Sequence, residues 1–146
     1  MDENYIISII GRQVIDDEES EVKVTTLGSY VKKGESRFIV YKEYDSSYGS
    51  KPITCILKIE KDNKVTLTKS GAQNSKLILE CNKRHMCHYD TGFGSLMIGI
   101  FTNKVTCNLS DSGGQLDIVY SLDINSTLTS INEIHINVKE NDKKDV

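Results

Sequence analysis

The stretch that decides the fold reads Tyr89-Asp90-Thr91-Gly92-Phe93-Gly94, then Ser95-Leu96-Met97-Ile98-Gly99-Ile100-Phe101-Thr102, then Asn103-Lys104-Val105-Thr106-Cys107-Asn108-Leu109. Glycines lead into an apolar segment, and beyond residue 103 every second residue is apolar. Such alternation is typical of a half-buried β-strand. The stretch therefore predicts a glycine corner followed by a β-hairpin that turns at residues 102–103.

The flanking sequence repeats this pattern of short strands and turns. Val, Ile, Thr and Tyr are frequent, Pro52 is the single proline, and turn residues recur at intervals of roughly ten residues. Besides the two arms of the hairpin, the predicted strands span residues 4–15, 21–32, 36–44, 53–60, 64–70, 75–79 with a continuation after a break to 89, 114–125 and 132–139. Nine or ten strands with short connections favour a meandering barrel over a Greek key.

We therefore predict an all-β fold, a single-domain antiparallel up-and-down β-barrel of the calycin or lipocalin kind. The barrel domain covers residues 1–140, and residues 141–146 form a frayed charged tail. In the first strand Tyr5, Ile7 and Ile9 share a face, and a bulge at Gly11 is expected to let Val14 continue it. In the second strand, residues 22, 24, 26, 28 and 30 point inward, and Gly28 indicates a bend or a close backbone approach.

Three further local features complete this interpretation. The acidic segment 16–20 is expected to form the first loop, and the third strand alternates in a way that leaves its inward face open. Lys61-Asp62-Asn63 predicts a tight hairpin in which an Asx turn supplies the positive φ. Beyond it, Val65, Leu67 and Lys69 share one face.

Composition narrows the functional classes. The 18 Lys and Arg residues against 21 Asp and Glu residues give a net charge of -3, which argues against nucleic acid or an anionic membrane as a partner. An acidic N-terminus and the lack of a long apolar run predict a cytoplasmic protein. Its four cysteines, Cys55, Cys81, Cys87 and Cys107, are then expected to be reduced and to act as small, partly buried hydrophobic residues.

Several motifs, in order and spacing, resemble the YwiB-like family of small bacterial proteins. They are Thr26-Leu27-Gly28-Ser29-Tyr30, Tyr41-Lys42-Glu43, Lys69-Ser70-Gly71, Tyr89-Asp90-Thr91-Gly92-Phe93-Gly94, residues 98–103 and residues 114–122. The resemblance covers about residues 6–139 and implies a calycin-type barrel in a family without an established biochemical function. Lys69 stands where that family usually has arginine, which puts a planar bidentate contact there in doubt.

The residues that most suggest a function are two charged residues at positions where the alternation predicts side chains that point into the barrel. Glu43 follows Ile39 and Tyr41 on the third strand, and Lys69 follows Leu67 on the fifth. An unpaired buried charge is very costly, so we expect them to pair with each other or with the hydroxyls of Tyr41, Tyr89 or Tyr120. These five residues form the predicted ligand site, an anchor for a small anionic group such as a carboxylate. The alternative is a satisfied structural pair, or charges that reach water at a barrel end.

Other constellations are weaker. Cys81, His85, Cys87 and His88 have zinc-ligand chemistry but match no standard spacing, so exposed strand or loop side chains are expected there, with no metal or cofactor. Cys87 and His88 should face opposite ways, which separates a nucleophile from its base.

Three remaining patterns each have a structural explanation. Asp16-Asp17-Glu18-Glu19 is expected to be a solvated turn rather than a pair of catalytic carboxylates, and Gly92-Phe93-Gly94 a tight corner rather than a phosphate loop. Tyr44 and Tyr48, beside lysines, only faintly suggest a nucleic-acid stacking surface.

The sequence thus favours a barrel that binds a small, anionic or amphipathic molecule. The alternative is a protein-interaction module with a filled barrel, which docks a partner or forms a homodimer through an edge strand or the 45–52 loop. Catalysis is the least favoured of the three.

Overall fold

The computed structural model describes residues 3–44, 51–71, 74–90 and 94–141. Within them the chain forms ten β-strands: β1 Tyr5–Ile15, β2 Glu18–Lys33, β3 Ser36–Tyr44, β4 Pro52–Ile59, β5 Val65–Gly71, β6 Ser75–Leu79, β7 Arg84–Asp90, β8 Ser95–Ser110, β9 Gly113–Ile124 and β10 Thr127–Glu140. Consecutive strands pair antiparallel, and β1 pairs with β10. The predicted up-and-down closed barrel is confirmed. Over the described ranges no helix is long and apolar enough to cross a membrane.

The long strand β8 replaces the predicted hairpin. Residues 95–101 pair with β7, whereas residues 99–110 pair with β9, so the two halves never pair with each other. A register shift between Thr102 and Lys104 inserts one residue, Asn103, into the strand. Inward residues are even-numbered up to Thr102 and odd-numbered from Val105 onward. The change of phase in the sequence was therefore a β-bulge, and the prediction of a turn was wrong.

The first strand shows the reverse error: a bulge was predicted there, but the strand is regular. Its register with β2 and β10 runs without a shift from Tyr5 to Val14, so there is no bulge at Gly11. Gln13 and Ile15, rather than Val14, line the barrel interior. The predicted bulge was therefore wrong, and a regular strand with an inward-facing glycine explains the pattern.

Turns depart from the predictions at two places. Asp16 and Asp17 alone connect β1 to β2, with φ of 49° and 64°, because β2 already begins at Glu18. The predicted continuation of β6 towards Tyr89 is instead a separate strand, β7, which follows a turn at Asn82 with φ of 64°. The Asx turn is confirmed, since Asn63 has φ of 64° and the Lys64 N–H donates to Asp62 Oδ1 over 3.3 Å.

Strand β2 bends away from β3 at Gly28. The β2–β3 pairing runs from Gly28 to Lys33, and among the described residues β1 alone pairs with residues 18–27 of β2. A Cβ built on Gly28 would lie 2.5 Å from the Val40 carbonyl oxygen, so the predicted close approach is confirmed. Val22 has the predicted inward phase but is 64% exposed, and no described residue of β3 pairs with it.

One half of the barrel is filled. Nine apolar side chains there are at most 3% exposed: Ile7, Ile39, Ile59, Val65, Leu79, Ile100, Leu116, Ile118 and Val138. Arg37 closes that end, since its Nη1 donates to the Tyr30 hydroxyl over 3.1 Å and to Asp111 Oδ1 over 3.2 Å. The Tyr30 hydroxyl in turn donates to the Ser110 carbonyl over 2.6 Å. The cavity described below lies in the opposite half.

A cavity in the other half of the barrel

The polar side chains of β3 and β5 are brought together by register. Tyr41 on β3, Cys55 on β4 and Lys69 on β5 lie directly opposite one another, and residues paired in this way point to the same face. Glu43 is two residues beyond Tyr41 on β3 and has the same orientation. The structure therefore shows the inward face of β3, which the sequence left open, to be that of Ile39, Tyr41 and Glu43.

These residues border a cavity of about 410 Å³ at the end where the odd-numbered strands finish. All five predicted site residues, Tyr41, Glu43, Lys69, Tyr89 and Tyr120, line it. The rest of the wall is mainly aliphatic: Ile9, Ile15, Leu57, Leu67, Leu77, Leu96, Ile98, Leu122, Ile124, Ile134 and Ile136. An apolar chamber with a few converging polar groups is the usual form of a small-molecule site.

Glu43 and Lys69 form an ion pair across the first residues of β4. Lys69 Nζ lies 3.5 Å from Glu43 Oε2, and the two side chains are 25% and 31% exposed. At this partial exposure the pair contributes little to stability, because water screens it and competes for both ends. The geometry therefore agrees with parts of both interpretations of the sequence. The two charges are paired near a barrel end, and their side chains line the interior cavity.

Burial sets the protonation of the groups below this pair. Desolvation, followed by the nearby Cys55 and Glu43, raises the pKa of Tyr41 far above its usual range. Desolvation and the Glu43 carboxylate raise the pKa of the Cys55 thiol to about 12. Both groups are neutral at physiological pH and contribute hydrogen bonds rather than charge.

Tyr89 and Tyr120 lie on neighbouring parts of the wall. Tyr120 is 9% exposed, and desolvation together with Tyr89 raises the pKa of its hydroxyl to about 12. Neutral phenol groups can both donate and accept hydrogen bonds. The Tyr120 hydroxyl therefore places a polar, uncharged group beside the aliphatic wall.

A second polar group on the cavity wall was missed by the sequence analysis. Gln13 on β1 and Ser130 and Asn132 on β10 line the cavity, and the latter two are 3% and 6% exposed. Their positions were readable in part, because Asn132 is in phase with Ile134 and Ile136. The predicted bulge at Gly11 put Gln13 on the wrong face, and an isolated Gln or Asn in a strand carries no functional signal of its own.

The cysteine and histidine cluster is dispersed. Cys81 is exposed, whereas Cys87 is 3% exposed, and its Sγ accepts the Ile78 N–H over 3.4 Å. The expectation of exposed side chains was therefore wrong for Cys87, which fills the gap where β6 and β7 diverge. His85 Nε2 lies 2.9 Å from Glu80 Oε1, and His88 points outward, away from Cys87. Among the described residues, no three His, Cys, Asp or Glu side chains are grouped for a metal ion.

The remaining candidates lie on the surface or outside the described ranges. The acidic residues 16–19 are exposed, and Tyr44 is 73% exposed. Tyr48 and most of the 45–52 loop, the glycine corner at Gly92 and Phe93, and residues 142–146 are not among the described residues.

Comparison with known proteins identifies the family. Residues 7–136 match the family described as a domain of unknown function, DUF1934. The fold is similar to that of the crystal structure of the ywiB protein from Bacillus subtilis, with a TM-score of 0.83, 17% sequence identity, and coverage of 94% of this chain and 92% of that one. No curated protein matches the sequence. The chain therefore belongs to the DUF1934 family and has the YwiB-like, calycin-type barrel that its motifs predicted.

Proposed function

We propose that this barrel binds one small amphipathic molecule, with an anionic group of the ligand at Lys69 and its apolar part in the aliphatic chamber. The observation that carries the proposal is the cavity of about 410 Å³ in a barrel whose other half is solidly packed. That volume is in the range of small-molecule sites.

Lys69 is suited to hold an anion without losing its present partner. An ammonium group has three donors, and Glu43 at 3.5 Å engages at most one of them at a long distance. The Tyr41 hydroxyl lies on the same row and remains protonated. A ligand carboxylate at this place would receive charge-assisted hydrogen bonds, which are stronger than those between neutral groups.

The Glu43 carboxylate limits the charge of the ligand. Together with Lys69 it gives the wall no net charge, so a ligand with several negative charges would meet repulsion from Glu43. A single carboxylate can share Lys69, and the aliphatic wall favours a hydrocarbon chain behind it. The ligand class is thus a monoanionic amphiphile rather than a polyanion.

Saturable binding of 1-anilinonaphthalene-8-sulfonate, measured by fluorescence and competed by octanoate, tests the proposal. Lys69→Met should weaken octanoate binding by roughly 10-fold or more, the usual range for a lost hydrogen bond to a charged group. Lys76→Met is the matched control, because Lys76 is an exposed lysine on β6. The proposal fails if octanoate does not compete or if both variants lose affinity equally.

One observation supports the alternative of an interaction module. Residues 18–27 of β2 pair with β1 along one edge. In the described parts of the chain, no residue pairs with their other edge. Such an edge can accept a strand from another chain, although its Glu and Lys side chains oppose this. Light scattering over a range of protein concentrations tests it, since edge pairing predicts a dimer that Val22→Pro abolishes.

A further inference from the structure

Three polar side chains of β1 and β10, of which Gln13 is partly buried and Ser130 and Asn132 are buried, form a continuous relay. Gln13 Nε2 donates to Asn132 Oδ1 over 3.1 Å, and Asn132 Nδ2 donates to Ser130 Oγ over 3.0 Å. Asn132 lies opposite Gln13 on β1 and Tyr120 on β9, so the relay continues the row of inward-facing residues. The buried side chains of Asn132 and Ser130 are costly to bury unless their hydrogen-bonding groups are used.

Among the described residues, hydrogen bonds join the three side chains to one another. Gln13 and Ser130, at the two ends, keep unused hydrogen-bonding groups. The hydrogen bonds of the relay engage Gln13 Nε2 and Ser130 Oγ as the terminal donor and acceptor. This leaves the Gln13 carbonyl oxygen as an acceptor and the Ser130 hydroxyl proton as a donor. Rotation of both amides by 180° would reverse the roles, but one end would still donate and the other accept. The relay therefore offers at least one donor and one acceptor in either orientation, and each amide keeps one further N–H.

The relay is separated from the ion pair by both strands and apolar wall. Glu43 on β3 and Gln13 on β1 have β2 between them, and on the other side of the barrel β6, β7, β8 and β9 lie between Lys69 on β5 and Asn132 on β10. Aliphatic side chains, including Ile9, Ile134 and Ile136, line the same chamber. One molecule in the chamber can therefore meet a charged group at one wall and a neutral polar group at another.

We propose that Gln13, Asn132 and Ser130 form a second subsite that binds a neutral amide group, or a similar group with one donor and one acceptor, on the far side of the ligand from its carboxylate. This inference rests on the proposed function, because it assigns the second polar end of the same ligand. A carboxylic acid or an alkyl end does not match the relay as well. The first would bring a charge to a buried neutral site, and the second would leave both free ends without a partner.

Paired ligands of equal length test the subsite. Calorimetric titration would compare the C6, C8 and C10 straight-chain monocarboxylates with the corresponding ω-primary amides, in which the terminal methyl group is replaced by a carboxamide. In a purely apolar chamber the carboxamide must weaken binding at every length, because it is buried without partners. With the relay as a subsite, the amide should bind about 10-fold more tightly at the length that spans the two walls, as expected for two net hydrogen bonds.

Two variants connect this preference to the relay. Gln13→Leu and Ser130→Ala should each reverse or abolish the preference for the amide, measured in each variant as the ratio of its affinities for the two ligands of a pair. If a variant folds poorly, the comparison of the two ligand series in the wild-type protein is sufficient to test the subsite. The subsite is refuted if monocarboxylates bind more tightly at all three lengths, or if the preference survives in both variants. If neither ligand series binds, the proposed function itself is refuted along with the subsite.

Discussion

Replacing Gly28 with alanine is expected to destabilise the barrel by about 3 kcal/mol. The added Cβ would lie 2.5 Å from the Val40 carbonyl oxygen and 3.3 Å from Tyr41 Cβ, and closer still to Ile7 Cδ1. The Ile7 terminus could rotate only into a fully packed core, since Ile7 is 0% exposed, and the Val40 oxygen belongs to the backbone. Overpacking costs about 1–3 kcal/mol, and two contacts that cannot yield place this site at the upper end.

Urea unfolding followed by circular dichroism measures the effect, and a loss of about 3 kcal/mol corresponds to a fall in Tm of roughly 10 °C for a domain of this size. Gly11→Ala is the matched control, because Gly11 also faces inward on a neighbouring strand and a Cβ there meets nothing within 4 Å. That variant should be neutral or slightly stabilising. A loss below about 1 kcal/mol for Gly28→Ala, or an equal loss for both variants, would refute the argument.

Three further predictions concern single buried or paired groups. Thr102 Oγ1 is a buried atom without a hydrogen-bond partner in the described chain, so Thr102→Val should leave the urea midpoint unchanged or raise it. Asp117, 2.7 Å from His135, and a neighbouring glutamate raise the pKa of that histidine. Protonated His135 therefore stabilises the folded state fully below about pH 6.5, and this stabilisation is lost as the pH rises through the folded-state pKa. His135→Gln should remove this dependence of the urea midpoint on pH. Because burial raises the pKa of Cys55 to about 12, an aromatic disulfide reagent at pH 8 should modify the exposed Cys81 quickly and Cys55 only after unfolding.

The barrel was predictable because alternation survives in most strands. Leu116, Ile118 and Tyr120 in β9 face inward as expected, and β6 spans the predicted residues. The errors arose where one residue changed the phase. A bulge and a tight turn both interrupt alternation, and only the pairing partners on either side of Asn103 distinguish them.

The charged part of the cavity was predictable for a similar reason. Glu43 and Lys69 break an otherwise apolar inward phase, and a buried charge needs a partner, so their pairing followed from energetics. The relay of Gln13, Asn132 and Ser130 depends on the register between β1 and β10, which joins segments from opposite ends of the sequence. Local pattern carries no information about such a pairing.

The seam between β1 and β10 has a consequence for how the protein folds. The other nine pairings connect consecutive strands, so each can form by extending an existing hairpin, but Tyr5 meets Glu140 and Val14 meets Ile131 only across almost the entire chain. Closing so long a loop costs entropy that local contacts do not recover in advance, which slows folding. We expect closure of this seam to be the last step, preceded by an open curved sheet whose β1 and β10 edges are both exposed to association with other chains. The final β1–β10 pairing would then convert an aggregation-prone sheet into a barrel without those two edges.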